Sequence, residues 1–325
     1  MTGLNSTDLA FFAAVADAGG IGRAANALNT VQSNVTSRIR SLELDLGVTL
    51  FQRSRVGVTL TPNGARLLPF ATQIARLLSD ARKAATDKET PDGAISIGSL
   101  ETTAALRLPP ILVAYTQAYP RVALRVETGP TAALVERVRA RKIDGAFVSG
   151  PIAHADIEAI PVLDEELVLV GSPLLRDWDA VDDFLNSGAQ ARVIVFRAGC
   201  SYRQRMEELL AHWGFVGVQH MEMGTLDGII GCASAGVGVA LLPRGVVEVA
   251  IADGRLSVHT LSRNEGMAQT LFIRRRDAFL SSAMRRFIET TVATPSGPNR
   301  GRPASIQPVR RRGVSTPVGM TQAHR

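Results

Sequence analysis

A chain of 325 residues with 46% hydrophobic and 20% charged side chains has the length of roughly two domains and is too apolar to be disordered as a whole. Its formal charge of +6 is local: residues 293–325 hold six Arg and no acid, so the rest is neutral and a generally basic, nucleic-acid-coating protein is excluded. Two cysteines, Cys200 and Cys232, give neither a disulfide framework nor a CxxC motif, which fits a reducing cytoplasm; Asp8 and Asp17 interrupt the N-terminal apolar run, so no secretory leader is expected.

"STDLAFFAAVADAG" predicts a first helix with Ser6 as N-cap, "GRAANAL" a second, and "NTVQSNVTSRIRSLE" at 29–43 a third after a very short turn. In the third, Val31, Val35, Ile39 and Leu42 form one apolar docking stripe. The opposite side carries Gln, Ser, Asn, Thr and Arg instead of the Glu and Lys that favour a solvated helix. "GVTLFQRSRVGVTLT" alternates around Gly57 and predicts a small β-hairpin or wing. Thr61 and Pro62 then signal the start of a long amphipathic helix, interrupted only by Pro69. Its stripe of Leu67, Leu68, Phe70, Ile74, Leu77 and Leu78 has no obvious partner in the chain, so pairing with the same helix of a second copy is expected. "ETPDG" at 89–93 reads as a linker.

From Ala94 the pattern becomes strand, helix, strand: "AISIGSL", one helix through "AALRLPPILVAYTQAYP", "VALRVETG", a helix at "TAALVERVRARK" and "IDGAFVSG". It continues with the strand "EELVLVG", "ARVIVFRAG", the helix "SYRQRMEELLAHWG", "QHMEMG", the helix "LDGIIGCASAG", "VGVALLP" and a closing "QTLFIRRRDAFLSSAMRRFIET". Such alternation predicts a parallel α/β sheet. The longest uncharged apolar stretch, residues 228–243, holds four glycines and falls short of the ~18 residues of a membrane span, so it reads as a buried helix followed by a strand. From Pro295 onward, five prolines, the Arg cluster and few large apolar residues predict a disordered tail.

Two short helices joined by a tight turn, the second with polar tips on its outer face, are the parts of a helix-turn-helix whose second helix enters the DNA major groove. Gln and Asn can bond bidentately to adenine, Arg to guanine or phosphate, and Ser and Thr to either. Base readers are expected near the helix start, at Gln32, Ser33, Asn34, Thr36 and Ser37; Arg38 and Arg40, with Arg53 and Arg55 in the wing, are phosphate candidates.

With these residues in place the chain resembles the LysR-type transcriptional regulators over nearly its whole length short of the tail. The family pattern is met by Phe12 to Ala16, Gly19, Arg23 to Ala25, Leu28, Gln32, Thr36, Ile39, Leu42-Glu43, Leu46-Gly47, Leu50-Phe51, Arg53 and Leu60 to Gly64. The family's usual Ser before the Gln is Val31 here, which cannot cap, so the helix start is expected to shift to Thr30. The "TVQSNVT" version is similar to a subgroup of that family. Arg23 and Thr30 join the DNA-binding candidates by this resemblance.

What the resemblance implies is an N-terminal all-α winged helix-turn-helix (1–60), a linker and dimerisation helix (61–90) and a two-lobed, periplasmic-binding-protein-like α/β effector domain (91–292). Lobe I would take about 91–162 and 268–292, and lobe II about 163–267. A small polar metabolite is expected in the cleft between the lobes, near Ser99, Glu101, Thr102 and Thr103, near Thr128 and Thr131, near Cys200, Ser201 and Tyr202, and near Gly224, Thr225 and Asp227. Glu101 either stabilises a helix dipole or selects a ligand bearing an amine. Cys200 follows Gly199 at a helix start, where a thiol pKa can fall, which leaves redox sensing open beside a simple pocket-lining role.

The family also implies a homodimer through 61–90 and commonly a homotetramer, a double-stranded DNA operator and contact with RNA polymerase. No catalytic motif, metal-ligand spacing, cofactor or membrane partner is expected: the five His are scattered, and no GxSxG, HExxH or GxxxxGK[ST] occurs. A solute-binding transport protein would explain residues 91–292 alone and leave 1–90 without a purpose.

Overall fold

The computed structural model describes residues 4–54, 57–215 and 217–294. The predicted tail from Pro295 therefore lies outside the described residues. The described residues form two compact units, one up to Asp92 with Asp277–Arg285, the other Gly93–Arg276 with the described residues from Arg286.

The first unit opens with three helices, α1 (Ser6–Ala18), α2 (Ile21–Ala27) and α3 (Gln32–Leu46). Asn5, not Ser6, caps α1, its Oδ1 accepting from Thr7 N at 2.8 Å. Gly19 ends that helix at φ 62°, a left-handed position that glycine takes without a steric penalty. Strands β1 (Phe51–Ser54) and β2 (Gly57–Leu60) pair antiparallel as the wing. Helix α4 (Pro62–Thr86) then runs 25 residues. Pro69 does not interrupt it: the carbonyl it leaves without a donor belongs to Ala65, which is exposed and can be hydrated. Leu9, Phe12, Val15, Val35, Ile39, Leu42, Leu50 and Ala71 form the buried core of this unit.

The second unit comprises β3 (Gly93–Ser99), α5 (Glu101–Leu106), α6 (Leu108–Ala118), β4 (Val122–Thr128), α7 (Thr131–Arg139), β5 (Gly145–Ser149), β6 (Ile157–Gly171), α8 (Trp178–Leu185), β7 (Arg192–Val195), α9 (Ser201–Trp213), β8 (Gln219–Glu222), α10 (Leu226–Ser234), β9 (Ala240–Pro243), α11 (Arg244–Ala252), β10 (Ser257–Thr260), α12 (Arg263–Gly266) and β11 (Met267–Arg275), before α13 (Ser282–Ala293) closes the described chain. The single helix expected through "AALRLPPILVAYTQAYP" is two, divided at Arg107, because Pro109 and Pro110 lack the N–H groups that would bond back across the joint.

The sheet is mixed, not parallel throughout. Strands β4, β3 and β5 are parallel, but β11 runs antiparallel to β5 and β6, and β9 and β10 run antiparallel to β6. Strand β6 is also twice as long as the expected "EELVLVG". Residues 157–166 pair with β11, and 167–171 pair with β9 and β10, so this one strand crosses from lobe I to lobe II. Phe147, Phe272, Phe287 and Tyr115 meet in edge-to-face and tilted ring contacts in the core of lobe I. In lobe II, β7 pairs β8 and reaches β9 through a bridge between Val193 and Val239.

Candidate functional site

The turn between α2 and α3 is built by backbone geometry. Asn29 adopts φ 49°, Asn29 N donates to Asn26 O at 3.2 Å, and Thr30 N donates to Ala25 O at 2.9 Å, which closes α2 with a Schellman arrangement. The chain is thereby extended at Val31, φ −91° and ψ 151°, and α3 starts at Gln32. The cap stays at Val31 and does not move to Thr30. Val31 is 65% exposed and leaves the apolar stripe, because an extended N-cap does not share the helical face; Val35, Ile39 and Leu42 alone make the buried seam.

Opposite that seam, Gln32, Ser33, Ser37 and Arg40 are exposed, while Asn34 and Thr36 are half-buried. Asn34 Nδ2 donates to Thr30 Oγ1 at 3.0 Å, which fixes the amide one turn from its own backbone. The Gln32 amide lies over α2, where a Cβ at Gly22 would come within 3.1 Å of Nε2. Two of the arginines have partners within the protein. Arg23 Nε donates to Ala18 O at 2.5 Å at the end of α1. Arg38 pairs with the buried Asp8 at 2.8 Å and sits 5.0 Å from the centre of the Phe11 ring, tying α3 to α1. Arg53 lies on β1 opposite Val58, and Arg55 lies outside the described residues.

Two side chains join recognition helix, wing and α4. Glu43 Oε1 accepts from Leu50 N at 2.7 Å and from Phe51 N at 3.3 Å. Thr61 Oγ1 donates to Thr49 O at 2.8 Å and accepts from Gly64 N at 3.0 Å, so one hydroxyl caps α4 and holds the approach to the wing. A Cβ at Gly64 would collide with the Leu50 carbonyl oxygen, which is why the "LTPNG" turn needs glycine there.

In the second unit a cavity of about 170 Å³ opens between the lobes. Glu101, Thr102 and Thr128 line it from lobe I, and Arg197, Cys200, Tyr202 and Gly224 from lobe II. Leu100, Pro130, Phe196 and Met223 supply its apolar wall. A second, wider chamber of about 530 Å³ shares Tyr202 and includes Thr131, Ser149, Ser201, Arg205 and Gln269. Hydrogen bonds join the lobes across this cavity: Leu226 N donates to Glu101 Oε1 at 2.8 Å, and Ala132 N donates to Gly199 O at 3.4 Å. The Tyr202 hydroxyl donates to Glu165 Oε2 at 3.2 Å, and Thr270 Oγ1 donates to the same oxygen at 2.8 Å. Glu165 and Thr270 stand on β6 and β11, so Tyr202 links the cavity wall to the strands that pass between lobes. Burial, with the Glu165 charge beside it, holds the Tyr202 phenol well above its usual pKa, so it stays a donor.

Of the nominated cleft residues, Ser99 and Thr103 are buried away from both chambers, and Ser99 Oγ bonds the Leu100 carbonyl at 3.0 Å. Thr131 accepts from Ser149 N at 3.3 Å and Ser201 joins it in the wider chamber. Thr225 caps α10 by accepting from Gly228 N at 3.2 Å, and Asp227 is exposed in the first turn of that helix. Cys200 lines the smaller cavity, but burial raises its thiol pKa, outweighing the lowering by the Arg203 and Tyr202 N–H groups. A protonated thiol is a poor redox sensor, which favours the pocket-lining role. Arg197, one residue before the nominated "AGCSY" loop, was not anticipated, because nothing in the sequence places it against Gly224.

Among the described residues no cluster of three or more His, Cys, Asp or Glu could hold a metal, and no helix is long and apolar enough to cross a membrane. The fold and site define a class: a winged helix-turn-helix DNA-binding regulator joined to a two-lobed ligand-binding domain. Comparison makes this specific. Residues 6–65 match the bacterial regulatory helix-turn-helix protein, lysR family, and residues 88–295 match the LysR substrate binding domain. The HTH-type transcriptional regulator GltR of Bacillus subtilis is 40% identical over 285 residues, spanning 88% of this chain and 95% of that protein. Full-length OxyR from Pseudomonas aeruginosa superposes with a TM-score of 0.69 at 22% identity, over 90% of this chain and 94% of that one. Full-length CbnR complexed with its target DNA does so at 0.57 and 22%, over 88% and 98%. The chain belongs to the LysR family of transcriptional regulators and is not an enzyme.

Proposed function

We propose that α3 reads its operator through Gln32, Ser33, Asn34, Thr36 and Ser37, with Arg40 and the wing arginines Arg53 and Arg55 on phosphates. The observation that carries this reading is the division of α3 into a seam of Val35, Ile39 and Leu42 and an outer face of small polar tips and Arg. Val31 presents its methyls beside Gln32 and suits a thymine methyl. Arg38 acts mainly by setting the angle of α3 against α1, and Arg23 by holding α2 to the end of α1. The "TVQSNVT" sequence marks a subgroup that shares this reading head.

Helix α4, as the dimerisation element of residues 61–90, pairs with its copy through Phe70, Leu77 and Leu78, and dimers assemble into a tetramer on two DNA sites in the cytoplasm. A small polar metabolite between the lobes favours one arrangement of the Glu101–Leu226 and Ala132–Gly199 contacts over the other, and so alters subunit geometry and access of RNA polymerase. The tail from 293 adds salt-sensitive, non-specific phosphate affinity. Selection of bound duplexes from a random pool by the full-length protein tests the reading: enrichment of one inverted repeat supports it, and recovery of an unenriched pool rejects it.

A further inference from the structure

The smaller interlobe cavity carries one charge of each sign. Glu101 enters from lobe I and Arg197 from lobe II, and both line the same space of about 170 Å³. Glu101 uses Oε1 to accept from Leu226 N. Among the described residues, its Oε2 and the Arg197 guanidinium have no hydrogen-bond or ion-pair partner. Arg197 is exposed at the mouth of the cavity and lies across Gly224, where a Cβ would come within 2.9 Å of Nη2, so the glycine lets the guanidinium rest against the cavity wall. The rest of the wall mixes the apolar Leu100, Phe196 and Met223 with the hydroxyl-bearing Thr102, Thr128 and Tyr202.

We propose that this cavity binds a small zwitterion, an α-amino acid, with its carboxylate on Arg197 and its ammonium on Glu101. This deepens the reading of the cleft as the effector site and rests on it. A simple anion would find Arg197 but leave Glu101 facing its own charge in a partly desolvated space, and a simple amine would meet the converse penalty. A ligand with both charges satisfies both walls at once. The volume is close to that of an engineered cavity of about 150 Å³ that takes benzene, so a small amino acid fits within it. Because Glu101 also bonds the first N–H of α10, the ammonium would settle on a carboxylate that already ties the lobes together, coupling occupancy to the interlobe contact.

Calorimetric titration of the full-length protein tests this with glycine, alanine, serine, valine and leucine, each beside its 2-hydroxy-acid and simple-amine counterparts. At least one amino acid is expected to bind at least tenfold more tightly than both counterparts. Glu101→Gln keeps an acceptor for Leu226 N and removes the charge; it is expected to weaken the amino acid tenfold or more while changing the hydroxy acid little. Arg197→Gln is expected to weaken both, and Arg197→Lys to restore part of the loss. A counterpart that binds as tightly as the amino acid overturns the proposal and leaves the cleft an effector site of another chemistry. Equal losses for amino acid and hydroxy acid in Glu101→Gln overturn it as well, since a merely structural Glu101 would give that result. Failure of the whole panel to bind also overturns it, and the regulator reading is then judged separately by the duplex selection.

Discussion

Single side chains in this protein act mostly by joining elements that the sequence separates. Thr61 and Gly64 illustrate it: the hydroxyl serves two backbone partners, and the glycine lets α4 begin against the Leu50 carbonyl. Gly64→Ala forces that carbonyl to move, and a loss of about 1–3 kcal/mol is expected in denaturant unfolding of the DNA-binding unit. An unchanged midpoint would refute the close approach. His259 offers a second test. Buried against Trp178 and bonded to Ser257 Oγ at 3.2 Å, it has its pKa lowered, chiefly by burial. The unfolded chain therefore binds a proton that the folded chain resists, and stability falls as pH drops through the unfolded value of about 6.5. The wild type should lose more Tm between about pH 7.5 and pH 5 than His259→Gln does. At this scale the sequence was legible where a residue's chemistry is local, as at Thr61, and illegible where it is not. Nothing near Asp8 announces a partner thirty residues away in Arg38, and nothing in "FRAGC" shows that Gly224 makes room for Arg197.

Among elements, α4 packs one face on its own chain and leaves another exposed. Leu67, Leu68 and Ile74 pack on the core of the first unit, yet Phe70, Leu77 and Leu78 are 65%, 48% and 43% exposed, a cluster whose burial in a dimer would be favourable. The double substitution Leu77→Glu and Leu78→Glu is expected to shift the protein to monomer in sedimentation velocity while circular dichroism stays unchanged; a persisting dimer would place the interface elsewhere. The periodicity of α3 and α4 was readable because an amphipathic helix repeats its pattern over several turns. Strand β6 was half-missed because residues 157–163 alternate weakly and include Pro161, whereas 167–171 are continuously apolar. The antiparallel return of β11 was missed for another reason: strand direction is set by the connection, and the residues of the strand do not record it.

At the scale of the molecule, the charge of the chain misleads and the pattern does not. The excess of Arg lies in 293–325, while residues 1–60 carry five Arg against four acids, and the face of α3 proposed to read DNA is written mainly in hydrogen-bonding side chains. Such a surface is expected to discriminate among sequences more than to bind strongly to all of them. The two-part organisation was legible from a change of grammar near Ala94, and the LysR resemblance carried the rest of the architecture. What the resemblance could not carry is the effector, because the proposed selectivity depends on Glu101 and Arg197, which line the cavity from opposite lobes and lie far apart in the sequence. Whether α3 reads bases is decided by the affinity of full-length wild type, Gln32→Ala and Asn34→Ala for the selected duplex and for a scrambled one at the same salt. Each substitution is predicted to cost about 1–3 kcal/mol on the selected duplex and little on the scrambled one. Equal losses on both duplexes would contradict base reading by α3.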